Sequence, residues 1–251
     1  VRLLEGQPDY TRVWPGGESD VTPEHAMMRK VVEAMRRRGV FASIDIHNNT
    51  GTNPHYACVT RLDSPSLNLA VLFSRTVVFF RRPTGVQAAA FANLCPAATV
   101  ECGKAGDVSG EAHAAEFIEA CLHLDPFPAH PPVRADLDLY HTVATVKVPD
   151  DVSISFGEPG ADLCFDPSLD HLNFRELAAG SVLATVASNR DGLLEVRDER
   201  GAANMEVFLT VEGGELKMRR RLMPAMFTLD ERAIRQDCLC YLMERLEPGA
   251  F

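Results

Sequence analysis

Apolar positions first recur at helical spacing. From Thr22 to Arg38, Met28, Val31, Val32 and Met35 stand at i, i+3, i+4 and i+7, the stripe of an amphipathic helix. Thr22 and Pro23 suit its start. Arg36, Arg37 and Arg38 suit its last turn, where the dipole favours cations, and Gly39 its stop. We read the three arginines as a solvated helix end. The pattern then changes period. Phe41 to Ile46 is short, apolar and β-branched, a buried strand. Helical and strand-like stretches alternate onward: a helix over 66–75, a strand over 76–80, a helix over 86–94, a strand over 97–102 and a helix over 110–122. Such alternation predicts a layered α/β sheet.

The texture shifts at Asp125-Pro126-Phe127-Pro128-Ala129-His130-Pro131-Pro132, where four prolines exclude helix and sheet interior. Beyond it come strand candidates over 141–148, 153–156, 181–187, 193–197 and 206–210, divided by turn signals at Gly157, Pro159-Gly160, 189–192 and Gly213-Gly214. Thr228 and Glu231 form a capping box ahead of Ile234, Cys238, Tyr241 and Leu242. The organisation expected is an α/β domain over 1–125, a Pro-rich linker over 126–133, a β-rich domain over 134–227 and a C-terminal helix over 228–251 packing back on the first domain.

Composition narrows the classes. The chain has 251 residues, 46% hydrophobic and 24% charged, as in an ordinary globular protein. A net charge of −10 argues against a nucleic-acid partner. No run of apolar residues is long enough to span a membrane. Seven cysteines without paired CxxC spacing read as reduced core thiols of a cytoplasmic protein. Cys238-Leu239-Cys240, read as helical, would point its thiols apart and hold no metal.

The candidate chemistry gathers at strand ends. After Ile46 the chain turns at once to His47-Asn48-Asn49-Thr50-Gly51-Thr52-Asn53-Pro54-His55-Tyr56. A buried strand delivering a histidine onto a polar turn is how α/β proteins place a ligand or catalytic group. Asp45, two residues earlier, shares the face of His47. Glu101 lies inside a buried strand, where a carboxylate is costly unless paired or used. Arg12 could fork onto a carboxylate or face solvent. Arg81 and Arg82 reach either a polar cleft or water at a strand end. His113-Ala114-Ala115-Glu116 imitates a His-x-x-Glu zinc motif, but sits mid-helix on a solvent stripe and is read as a decoy.

Three stretches together resemble the succinylglutamate desuccinylase/aspartoacylase family, a branch of the zinc carboxypeptidases. Asp45-Ile46-His47-Asn48-Asn49-Thr50-Gly51, with Asn53-Pro54-His55-Tyr56 behind it, resembles its third-ligand segment. Tyr10-Thr11-Arg12-Val13-Trp14-Pro15-Gly16 resembles its Asn-Arg substrate segment, with Thr11 in place of Asn. Thr99-Val100-Glu101-Cys102-Gly103-Lys104 resembles its catalytic-glutamate segment. Residues 169–177 also resemble the family's second domain, as a lid or wall. The resemblance implies a carboxypeptidase-like mixed sheet flanked by helices, zinc held in part by His47, Glu101 as general base, and Arg12, Asn48 and His55 on the substrate. It implies zinc-dependent hydrolysis of an amide in a small N-acyl amino acid; carboxypeptidase activity and a non-catalytic ligand-binding module are the alternatives. The family's first motif, His-x-x-Glu, supplies two zinc ligands and should precede Arg12. No His lies there, so the natural chain is expected to begin before Val1.

Overall fold

A computed structural model describes residues 6–19, 21–187 and 192–246. The first half alternates as its pattern predicts: α1 (Pro23–Arg38), β1 (Ser43–Asn49), β2 (Tyr56–Val59), α2 (Ser64–Phe73), β3 (Thr76–Phe79), α3 (Gln87–Phe91), β4 (Ala97–Lys104) and α4 (Val108–Leu122). The second half holds β5 (Asp138–Lys147), β6 (Ile154–Phe156), β7 (Leu163–Phe165), β8 (Val182–Val186), β9 (Glu195–Asp198), α5 (Met205–Phe208), β10 (Leu209–Glu212), β11 (Glu215–Met218), β12 (Met223–Ala225), α6 (Glu231–Gln236) and β13 (Cys240–Arg245). The strand β2, only four residues long, escapes the sequence pattern because it follows the polar turn without a break.

A mixed sheet runs β1-β4-β2-β3-β5-β13-β12, with β9 also paired to β5. The interior strand β4, next to the edge strand β1, shows how alternation builds the layers. Ala98, Val100 and Cys102 join the core formed with α2 and α4 residues such as Leu67, Phe73, Ala114 and Phe117. Ala97 faces the opposite way, packing with Val32 of α1 and Phe91 of α3. Helices therefore cover both faces of this half. A second sheet, β10-β11-β8-β7-β6, packs Phe165, Leu183 and Leu216 against Ala144, Val146 and Leu242 of β5 and β13.

The structure departs from the predicted organisation in four places. β5, β9, β12 and β13 all follow the Pro-rich stretch yet complete the first sheet, β5 pairing in parallel with β3 from Thr76↔Asp138 to Phe79↔His141. The Pro-rich stretch is not a free spacer: Phe127 stacks on Phe41 at 4.7 Å, and Asn68 donates to the carbonyls of Pro128 and His130. Among the described residues the C-terminal helix is confined to α6. Asp230, not Thr228, caps it by accepting from the amides of Arg232 and Ala233, and the apolar residues beyond, read at helical spacing, instead form β13 because β5 offers an unpaired edge. Cys238 and Cys240 thus lie outside a helix, buried in the core. The strand expected over 206–210 divides into α5 and β10. Residues 189–191 of one predicted turn and 247–251 of the predicted helix lie outside the described residues.

Candidate functional site

Strand register assembles the site. His47 of β1 stands opposite Glu101 of β4, and Glu101 stands opposite Tyr56 of β2. Opposed residues of paired strands share a face, so His47, Glu101 and Tyr56 form one row across three strands. The next row is Asp45, Thr99 and Cys58, continued by Val78 of β3. Both rows face a cavity of about 130 Å³, whose lining also includes Arg12, Asn48, Phe80, Arg82, Met226 and Asp237. At His47 the pairing of β1 with β4 shifts, since Asn49 stands opposite Lys104. This irregularity brings the amide of Asn49 to donate to Glu101 Oε2 at 3.4 Å and leaves Asn48 on the cavity wall.

The site's electrostatics follow from two carboxylates flanking one imidazole. His47 Nε2 lies 3.1 Å from Asp45 Oδ2. Its Nδ1 lies 3.6 Å from Glu101 Oε1, long for a hydrogen bond, so charge attraction carries that side. Burial alone lowers the pKa of His47, but the two carboxylates outweigh it and push it up to about 10. Glu101 is 7% exposed. Burial raises the Tyr56 hydroxyl well above its ordinary value, with the Glu101 charge adding to the shift, and that hydroxyl donates to the Met226 sulfur at 3.2 Å.

Arg12 marks the cavity mouth. Its Nη2 donates to Asp237 Oδ1 at 3.2 Å, and its Nη1 donates to Thr11 Oγ1 at 3.0 Å. Arg82 lies on the wall, paired with Glu18, whereas Arg81 pairs with Glu199 at 3.5 Å outside the cavity. The structure therefore brings together Arg12, His47, Asn48 and Glu101. It does not bring His55. That ring stacks on His113 at 4.9 Å and contacts Phe73, on the opposite face of the sheet. The Pro54 turn separates it from the cavity, and Tyr56 takes the wall position instead.

Several site residues escaped the sequence reading: Asn49 beside Glu101, Asp237 on Arg12, and the segment 224–228 that roofs the cavity. This segment is tied to the polar turn. Asn53 Oδ1 accepts from the Met226 amide at 3.0 Å. Asn173 Oδ1 accepts from the Phe227 amide, and its Nδ2 donates to the Phe227 carbonyl, both at 2.8 Å. Residues 169–177, expected as a wall, supply Asn173 and also Asp170, which accepts from Thr52 at 2.7 Å and pairs with Lys104 at 3.4 Å. Met226 has φ +72, a left-handed conformation that such latches sustain.

Zinc was expected, with His47 as a ligand. A catalytic zinc takes three protein ligands, but among the described residues no three His, Cys, Asp or Glu side chains converge as a metal site. His47 and its carboxylates do not fit the group by themselves. His113 is no substitute, because its Nε2 lies 2.7 Å from the Phe73 carbonyl and Glu116 is exposed.

No family model matches the sequence, and no curated protein does. Solved structures do match the fold. One is a succinylglutamate desuccinylase/aspartoacylase from Rhodobacter sphaeroides: 15% identity, TM-score 0.58, 96% of this chain and 68% of that one. The chain has the fold of the succinylglutamate desuccinylase/aspartoacylase family. Murine aminoacylase 3 agrees at 11% identity and TM-score 0.59 over 95% of this chain and 77% of its own. Succinylglutamate desuccinylase from Chromobacterium violaceum does so at 14% identity and TM-score 0.54, over 98% and 69%. In the aspartoacylase fold as this chain builds it, the cavity opens on the face of β1, β4 and β2 that carries His47, Glu101 and Tyr56.

Proposed function

We propose that the chain is an amidohydrolase acting on a small N-acyl amino acid or a related carboxylate-bearing amide. The observation that carries this reading is Glu101: a buried strand carboxylate held by Asn49, in register between His47 and Tyr56, facing a cavity with Arg12 at its mouth. Glu101 would accept the proton of an attacking water and return it to the leaving amine. Arg12 would exchange Asp237 for the substrate carboxylate and fix the amide over Glu101. Asn48, on the wall, would hydrogen-bond the acyl portion. His47 lies between Asp45 and Glu101 and ties them together; to serve as a metal ligand it would give up one of these contacts and its extra proton. The small cavity favours a small amide over a peptide chain. The names of the matching structures, desuccinylase, aspartoacylase and aminoacylase, fit this class.

We include zinc dependence in this proposal, with His47 as the ligand this chain brings. The described residues do not complete its ligand set. Free thiols at all seven cysteines support the cytoplasmic reading. No helix of the described residues is long and apolar enough to cross a membrane.

The test is hydrolysis of an N-acyl amino acid panel by wild type and by Glu101→Gln, with binding followed by calorimetry. The proposal expects turnover in the wild type, lost in the variant, with binding retained. Binding without turnover in the wild type, with or without zinc, would instead support a ligand-binding module.

A further inference from the structure

The cavity beside Glu101 has a lining that says what it accepts. Much of its lining is apolar: Cys58, Val78, Phe80, Val86, Met226 and Met243. Cys58 and Val78 belong to the row next to Glu101, so a group inserted there abuts the proposed reaction centre. The volume of about 130 Å³ is close to that of cavities of about 150 Å³ that take a benzene ring.

The charged groups on the lining already have partners. Arg82 is held by Glu18, Arg12 by Asp237, and His47 by Asp45 and Glu101. The Tyr56 hydroxyl is turned onto a sulfur. Three carboxylates, Asp45, Glu101 and Asp237, share the lining with the cations. A carboxylate buried there would lose its water and meet like charge from Asp45 and Glu101, while the uncharged donors Asn48, Thr99 and Thr142 on the lining bring no compensating charge. Arg12, at the mouth and 27% exposed, can serve one carboxylate there.

We propose that this cavity is a specificity pocket for an uncharged apolar group of roughly four to six carbons, so that the chain prefers N-acyl amino acids with a branched aliphatic side chain over dicarboxylates. This rests on the amidohydrolase reading for its chemistry, but not for its binding preference.

The experiment measures calorimetric binding and hydrolysis of N-acetyl-leucine, N-acetyl-alanine, N-acetyl-phenylalanine and N-acetyl-aspartate by the full chain in the presence of zinc. Wild type should favour leucine over alanine by roughly tenfold or more, as a filled apolar pocket does, with aspartate weakest. Val78→Ala enlarges the pocket and should move the preference towards phenylalanine. Cys58→Phe fills it and should abolish the preference for leucine over alanine; should that variant not fold, Val78→Ala decides. N-acetyl-aspartate bound as well as N-acetyl-leucine, or a ranking unmoved by Val78→Ala, overturns the proposal. The two readings separate cleanly. A leucine preference in binding without turnover supports the pocket and sinks the hydrolase. Turnover that prefers aspartate supports the hydrolase and sinks the pocket.

Discussion

Glu101 and His47 occupy opposed strand positions, one nearly buried and the other a quarter exposed. Their roles should separate by substitution. Glu101→Gln keeps the shape and the Asn49 contact but removes the base, so kcat should fall about 10²- to 10⁴-fold while substrate binding changes little. A comparable loss of binding would mark Glu101 as structural. Arg12 is legible in sequence as a fork-capable cation, but its partner Asp237, 225 residues away, is not. Arg12→Lys keeps the charge and loses the fork, so kcat/KM for the acid should drop roughly ten- to a hundredfold. The carboxamide of the same substrate should be little affected. Equal losses on acid and amide would place carboxylate binding elsewhere.

Polar turns at this scale hold whole elements. The turn after β1 passes so close to the 224–228 segment that a Cβ on Gly51 would lie 1.9 Å from the Phe227 carbonyl oxygen. Gly51→Ala must displace backbone and should destabilise by about 1–3 kcal/mol in a denaturant melt. Asn173 clamps the same residue from the other side with two buried hydrogen bonds. Asn173→Ala leaves a buried amide and carbonyl unpaired, a cost of about 2–4 kcal/mol, and should loosen the cavity roof. Faster hydrogen exchange at Met226 and Phe227 would report it; unchanged exchange would show the roof is held without Asn173. Residues 169–177, expected as a lid or wall, do not line the cavity; they clamp its roof, which the sequence could not show because a clamp needs two segments at once.

At the scale of the molecule, Asp170 joins the polar turn and β4 through Thr52 and Lys104. Burial raises its pKa, but these two partners outweigh the burial and hold it below the ordinary aspartate value. A carboxylate depressed in the folded state adds stability above its unfolded pKa and loses it as pH falls through the folded one. Asp170→Asn should therefore be less stable than wild type near neutral pH, and the gap should close as pH falls below about 4. A gap independent of pH would assign the effect to packing. Metal content is also a property of the whole: among the described residues one histidine faces the cavity and no three ligands form a metal site, so residues 1–251 alone should retain well under one zinc after dialysis. Stoichiometric zinc lost in His113→Ala would reverse the decoy reading.

The alternation of period 3.6 and period 2 in the first half determined α1, β1, α2, β3, α3, β4 and α4 locally, because each buries one face against the same sheet. Arg12, His47 and Glu101 were singled out by resemblance to family segments; pattern alone marked only a polar turn after β1 and a carboxylate inside β4. What the tertiary structure decided was pairing across long separations. Whether the C-terminal apolar run becomes helix or β13 depends on the free edge of β5, about a hundred residues earlier in the chain. Which face His55 takes depends on the turn at Pro54, and whether Arg12 is free depends on Asp237. Local pattern carries hydrophobic burial, which each residue brings with it; it does not carry a hydrogen bond or ion pair, whose energy exists only when two distant groups meet.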